Sequence, residues 1–196
     1  MRQGSKPLRA RLAGAAAVLG LVTASLATVA PTTAAAPPPT SDGIQYRVLV
    51  FTKAAAEQHA STAAGVAAIR ELGETYRFSV QVTNDARKIE ETTLDKYRAV
   101  VFLNTSGDVL NAAQQAAFED YFFDGGGFVG IHSAIETEPD WGFLTDIIGT
   151  RANGSSPVTD ATIKVADRVH IASENLPEYW ERTDQYAQAT RVRHYA

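Results

Sequence analysis

The sequence predicts an α/β fold of three layers, in which a mostly parallel sheet carries helices on both faces. Three observations lead there. Short β-branched and aromatic runs alternate along the chain with segments of helical period. One of those runs, Ala99 to Leu103 (AVVFL), is apolar at every position, the pattern of a strand covered on both sides. The helical segments fall between successive strands and are joined to them by short loops, as right-handed crossovers between parallel strands require.

The elements follow in order. Arg47 to Thr52 (RVLVFT) reads as the first strand. Ser61 or Thr62 can cap a helix carrying Ala63, Val66, Ile69 and Leu72, which Gly73 is expected to stop. Phe78 to Val82 (FSVQV) alternates at period two, as a second strand does, and the polar stretch Asp85 to Tyr97 holds a helical turn around Leu94. After AVVFL, Asn111 caps a helix with Gln114 three residues on; Phe118, Tyr121 and Phe122 form its apolar stripe, and Asp124 to Gly127 ends it. Phe128 to Ile131 reads as a short buried strand, Pro139 to Ile148 as a helix, and Thr162 to Val165 (TIKV) as a fifth short strand. No internal repeat is present.

Residues 1–36 stand apart. Arg2, Lys6, Arg9 and Arg11 precede a run from Leu12 to Ala30 that is apolar or small, and small residues follow at Thr33 to Ala36. This is the pattern of a secretory signal, cut near Ala35 because Pro37 hinders cleavage directly after Ala36. The protein is therefore expected to be secreted, with no stable membrane span after processing. Residues 37–45 form a Pro-rich linker, and residues 46–196 the α/β domain. Processing removes four of the 18 basic residues and none of the 22 acidic ones, so the formal net charge of −4 becomes −8. Such a balance argues against a nucleic-acid partner, whose affinity rests on cations that neutralise phosphates. Cysteine is absent, which excludes disulfides, a thiol nucleophile and thiolate metal ligands.

In GGGFVGIHSAIET, residues 125–137, three glycines reject helix and turn the chain into a strand that stops on His132. Open α/β sheets bind ligands beyond the carboxyl ends of their strands. Three polar loops converge there, Lys53 to Ser61, Asn104 to Asp108 and His132 to Glu138. His132 either fills a turn or serves a site, and its place at a central strand end favours the site. His59 reads equally as a loop residue and as a site group. Ser106 and Asp108 satisfy turn geometry in a loop that also faces the ligand position. Glu136 and Glu138 either orient His132 or form the acidic first turn of the next helix. Ser133 lacks the glycine-flanked elbow of a serine hydrolase. A metal site from His59, His132 and Glu136 lacks tight ligand spacing, so neither metal nor other cofactor is expected.

The blocks FTKAAAEQH, VVFLNTSGDVLNAAQQAAFEDY, GGGFVGIHSAIETEPDW and DRVHIASENLPEYWERTD resemble, in this order, those of the ThuA-like (trehalose utilisation) family. The resemblance implies a flavodoxin-like fold of the class I glutamine amidotransferase superfamily. In that superfamily the strand-to-helix elbow carries a cysteine; in the ThuA-like family the elbow ends a GGG-aromatic-VGIH block, which matches His132. Glutaminase activity is excluded with the thiol. Lys53 and His59 match the family's first loop, whereas Ala56, Glu57 and Gln58 replace its Gly, Phe and Arg. Asp167, His170, Trp180 and Asp184 match later blocks, with Gln185 where an acidic residue is usual. Family members continue for several dozen residues beyond the match, so the domain is expected to be truncated at its C-terminus, with an unpaired sheet edge.

Two functions are compatible with these residues. One is an exported enzyme of carbohydrate metabolism acting on trehalose or a related sugar. His132 and His59 would be its catalytic groups, and Lys53, Ser106, Asp108, Glu136 and Trp141 would bind the substrate. The other is a non-catalytic carbohydrate-binding or accessory module that holds a sugar through Asp108, Trp141 and Trp180.

Overall fold

The computed structural model describes residues 43–190; the expected export signal and the linker up to residue 42 lie outside the described residues. The strands β1 (Tyr46–Phe51), β2 (Phe78–Thr83), β3 (Ala99–Leu103) and β4 (Gly127–Ile131) form one parallel sheet in the order β2-β1-β3-β4. Helix α1 (Thr62–Tyr76) connects β1 to β2, the short α2 (Glu91–Leu94) lies between β2 and β3, α3 (Ala112–Phe123) connects β3 to β4, and α4 (Gly142–Ile148) follows β4.

Strand side chains alternate between faces, and the core divides accordingly. Leu49, Phe51, Val100 and Phe102 pack on one face with Leu94 of α2, Phe118 and Tyr121 of α3, and Leu144 of α4. Val48, Val50, Val101 and Leu103 pack on the other with Val66 and Ile69 of α1. Both faces of the sheet are therefore covered, which is why β1 and β3 read as continuous apolar runs. Asn111 caps α3 through a full capping box, its side chain accepting from the Gln114 N–H while the Gln114 side chain accepts from its own.

Gly73 does not stop α1. The helix runs on to Tyr76, and Arg77 ends it in the left-handed region, donating its N–H to the Gly73 carbonyl. Gly73 serves close packing instead: a Cβ there would stand 2.6 Å from the Phe78 carbonyl oxygen and 3.2 Å from Cγ2 of Val80. An alanine normally stabilises a helix interior by about 1 kcal/mol over glycine. Gly73→Ala is expected to do the reverse, lowering stability by about 1–3 kcal/mol through overpacking. Thermal unfolding reads the sign.

Beyond α4 the chain leaves the parallel sheet. β5 (Ala152–Ser155) pairs antiparallel with β8 (Ala187–Ala189), and β6 (Thr159–Lys164) with β7 (Tyr179–Asp184). The strand expected at TIKV is thus β6, but it belongs to a separate two-stranded sheet. Only Ala161 and Ile163 of β6 are half-buried, a one-sided alternation that suits antiparallel pairing rather than a place inside a parallel sheet. β4 is also less buried than its apolar run suggests, because it is the terminal strand of its sheet; Val129 is 48% exposed. Helix α4 starts at Gly142 rather than Pro139, since Glu138 takes a left-handed φ of 50° and Trp141 is extended. Among the described residues, no helix is long and apolar enough to cross a membrane.

Candidate functional site

β1 and β4 are not neighbours, because β3 lies between them. The loops that follow them still meet, through the loop after β3. Ala54 forms a parallel bridge with Ser106, the Ala55 N–H donates to the Ser106 carbonyl at 2.7 Å, and the buried Ser106 hydroxyl donates to the Glu57 carbonyl at 2.8 Å. On the other side Gly107 bridges Thr137, its N–H donating to the Glu136 carbonyl and its carbonyl accepting from the Glu138 N–H, both at 3.0 Å. The buried Thr105 and Thr137 hydroxyls share a hydrogen bond of 2.6 Å. Three loops are thus fastened side by side above the strand ends.

Glu138 completes this scaffold. Its buried carboxylate accepts from the N–H groups of Val109 and Leu110 at 2.6 and 2.7 Å and from the Gln115 side chain at 2.7 Å. One carboxylate therefore ties the loop after β4 to the loop before α3 and to α3 itself.

Two strands end in left-handed residues. Asn104, after β3, has φ 53° and is buried; its side-chain amide donates to the hydroxyls of Ser61 and Thr62 at the start of α1. Thr62 in turn donates from hydroxyl and N–H to the His59 carbonyl, which fixes His59. His132, after β4, has φ 57° and opens a tight turn, His132–Glu136. A left-handed conformation costs a non-glycine residue about 1–2 kcal/mol, and such strain collects at functional positions.

The result is a histidine pair. The His59 and His132 rings lie 4.4 Å apart between centroids, tilted by 58°. They share a cavity of about 180 Å³ with Glu57, Ser133 and Glu136. Its far wall comes from Ser155 of β5 and from Gln185 and Tyr186 of the β7–β8 turn. That wall is itself tied down, the Gln185 amide donating to the Ser155 hydroxyl at 2.9 Å and the Tyr186 N–H to the Ser156 hydroxyl at 3.0 Å. Asp184, just before the turn, has its carboxyl held below the usual range. The hydrogen bond from the Gln185 N–H is the largest cause, opposed by burial, and the nearby Arg182 adds to it. Nε2 of His59 and Oγ of Ser133 are buried there without a hydrogen-bond partner.

The remaining candidates fall in different places. Glu136 lines the histidine cavity. Lys53 lines an adjoining cavity of about 430 Å³, shared with His59, Gln58 and Asn104, and its Nζ donates to the Val109 carbonyl at 2.9 Å. Asp108 is exposed and lines a further cavity beside Lys53. Ser106 is a tie between loops. Trp141 packs in the core against Phe118 and Phe143, its Nε1 donating to Glu119 at 2.7 Å, and it lines neither cavity that contains His59. Trp180 lies on β7 opposite Ile163, and the exposed His170 accepts from the Ala172 N–H. A larger cavity of about 590 Å³, lined by Tyr46, Arg47 and Tyr97, opens at the opposite ends of the strands. Among the described residues, no three His, Asp or Glu side chains gather in metal-holding geometry. Sequence reasoning missed the far wall, because Ser155 and Tyr186 carry no local motif. It also set aside Ser133, whose flanking residues do not form a hydrolase elbow.

The ThuA family, described as trehalose utilisation, matches residues 47–194. The chain belongs to the ThuA family. The ThuA match spans the parallel sheet from Arg47 on, the antiparallel pairs and every residue of the histidine cavity. A solved structure of a ThuA-like protein from Bacteroides uniformis ATCC 8492 has the same fold. It matches with a TM-score of 0.66 at 24% identity, over 79% of this chain and 65% of that one. No curated protein matches the chain.

Proposed function

We propose that this ThuA-family chain is an exported protein of carbohydrate metabolism that acts on a small sugar, trehalose or a related one. In this reading His132 moves a proton at a sugar hydroxyl, and His59, whose ring lies against it, assists. The observation that carries it is the histidine pair itself, 4.4 Å apart between ring centroids, with His132 on a strained strand end and both lining a polar cavity. Imidazoles are the side chains best suited to proton transfer near neutral pH, and a positioned one contributes about 10²–10⁴-fold to a rate. Glu57, Glu136 and Gln185 surround the pair with the acceptors and donors that sugar hydroxyls need. Thiolate chemistry on glutamine has no residue to perform it, since the chain has no cysteine.

Secreted material is expected to start near Ala36, which N-terminal sequencing reads directly. Incubation with trehalose and with glucose, followed by product analysis, tests the reaction. A new product that depends on His132 supports the enzyme. Saturable binding without product would move the reading to a sugar-binding module, and neither binding nor product would overturn it.

A further inference from the structure

Ser133 is 4% exposed, lines the histidine cavity, and buries its hydroxyl without a partner. Leaving a buried hydroxyl unpaired is unfavourable, by about 1–3 kcal/mol, so native chains satisfy nearly all such groups. The nearest comparison within the same molecule makes the point. Thr105, Ser106 and Thr137 are equally buried in the neighbouring loops, and each has a hydrogen bond. Ser133 alone of these four has none; the Thr150 hydroxyl is also buried without a partner, but Thr150 lines none of the cavities described, whereas Ser133 lines the histidine cavity. His59, which lines the same cavity, likewise has its buried Nε2 without a partner.

We propose that Ser133 Oγ and His59 Nε2 are the two anchors of a ligand hydroxyl pair, and that the cavity these residues line takes a single sugar ring. This rests on the sugar reading above and names the part of the sugar that enters. A hydroxyl can donate to one partner and accept from another, so adjacent ring hydroxyls suit one serine and one imidazole nitrogen. Size sets the limit. The cavity of about 180 Å³ is smaller than the pockets of about 300–1,000 Å³ that hold drug-sized ligands. A cavity below that range suits one sugar ring rather than two. Glu57, Glu136 and Gln185 then meet the remaining hydroxyls.

The unpaired hydroxyl makes a test possible that a structural serine would fail. Ser133→Ala removes a group that the fold does not use, so the melting temperature of the full chain should stay the same or rise. Its affinity for D-glucose, measured by titration calorimetry, should fall about tenfold, the loss of one hydrogen bond made in a buried site. Ser133→Thr keeps the hydroxyl and should retain more affinity than the alanine variant. A lower melting temperature in Ser133→Ala together with unchanged glucose affinity would overturn the assignment of Ser133 while leaving the sugar reading in place. Binding of trehalose but not of any hexose would overturn the single-ring limit. A wild-type chain that binds neither sugar would overturn both the inference and the reading beneath it.

Discussion

Glu138→Ala is expected to unfold the protein about 10 °C earlier than the wild type. The carboxylate has three donors, the N–H groups of Val109 and Leu110 and the Gln115 side chain, and it is 3% exposed. Truncation leaves those donors buried without an acceptor, at about 1–3 kcal/mol each before relaxation. Glu138→Gln separates charge from shape. Its carbonyl oxygen can still accept from the two N–H groups, but its amide nitrogen meets the Gln115 donor, so about 1–2 kcal/mol should be lost. Because Glu138 also fastens the loop carrying His132, the alanine variant should lose sugar binding even at temperatures where it is folded. Melting curves of the three proteins check the order wild type, glutamine, alanine. Equal stability of all three would mean that the loops above the sheet hold together without this carboxylate.

His132→Gly is expected to separate function from stability. Turnover of whatever sugar the wild type converts should fall at least about 100-fold, the lower end of what a positioned acid or base contributes. The fold should not suffer. At φ 57° a glycine is at ease where histidine is strained, so His132→Gly should be more stable than His132→Ala by about 1 kcal/mol. Both measurements are needed. Loss of turnover with loss of stability would make His132 a structural residue, whereas loss of turnover in a protein as stable as the wild type marks a residue strained for its work.

Much of this architecture was legible in the chain. AVVFL and RVLVFT became the two central strands because continuous apolar runs suit strands covered on both faces, and Asn111 with Gln114 announced the start of α3. The general rule on strand ends brought the three polar loops together before any coordinates did. Gly73 was misread because glycine carries two meanings: here it admits the approach of α1 to β2 rather than ending the helix, and only the packed neighbour tells them apart. TIKV was misread because short apolar alternation specifies a strand but not its partner. Trp141 looked like a sugar platform and lies in the core, its polar edge satisfied by Glu119. Ser133 and Glu138 carried no sequence signal for what the structure shows of them. An unpaired hydroxyl and a carboxylate reaching three donors are facts of three-dimensional surroundings, and both come from residues distant in the chain.

The chain contains four histidines, which makes its central claim directly readable by nuclear magnetic resonance. The imidazole signals of His59 and His132 report on the cavity, while the exposed His170, whose Nδ1 accepts from the Ala172 N–H, serves as an internal reference. Titrating the protein with D-glucose should move the His59 and His132 signals together along one saturation curve and leave His170 in place. Glucose binding that leaves both cavity histidines unmoved, or that moves His170 instead, would contradict the assignment of the sugar to the strand-end cavity.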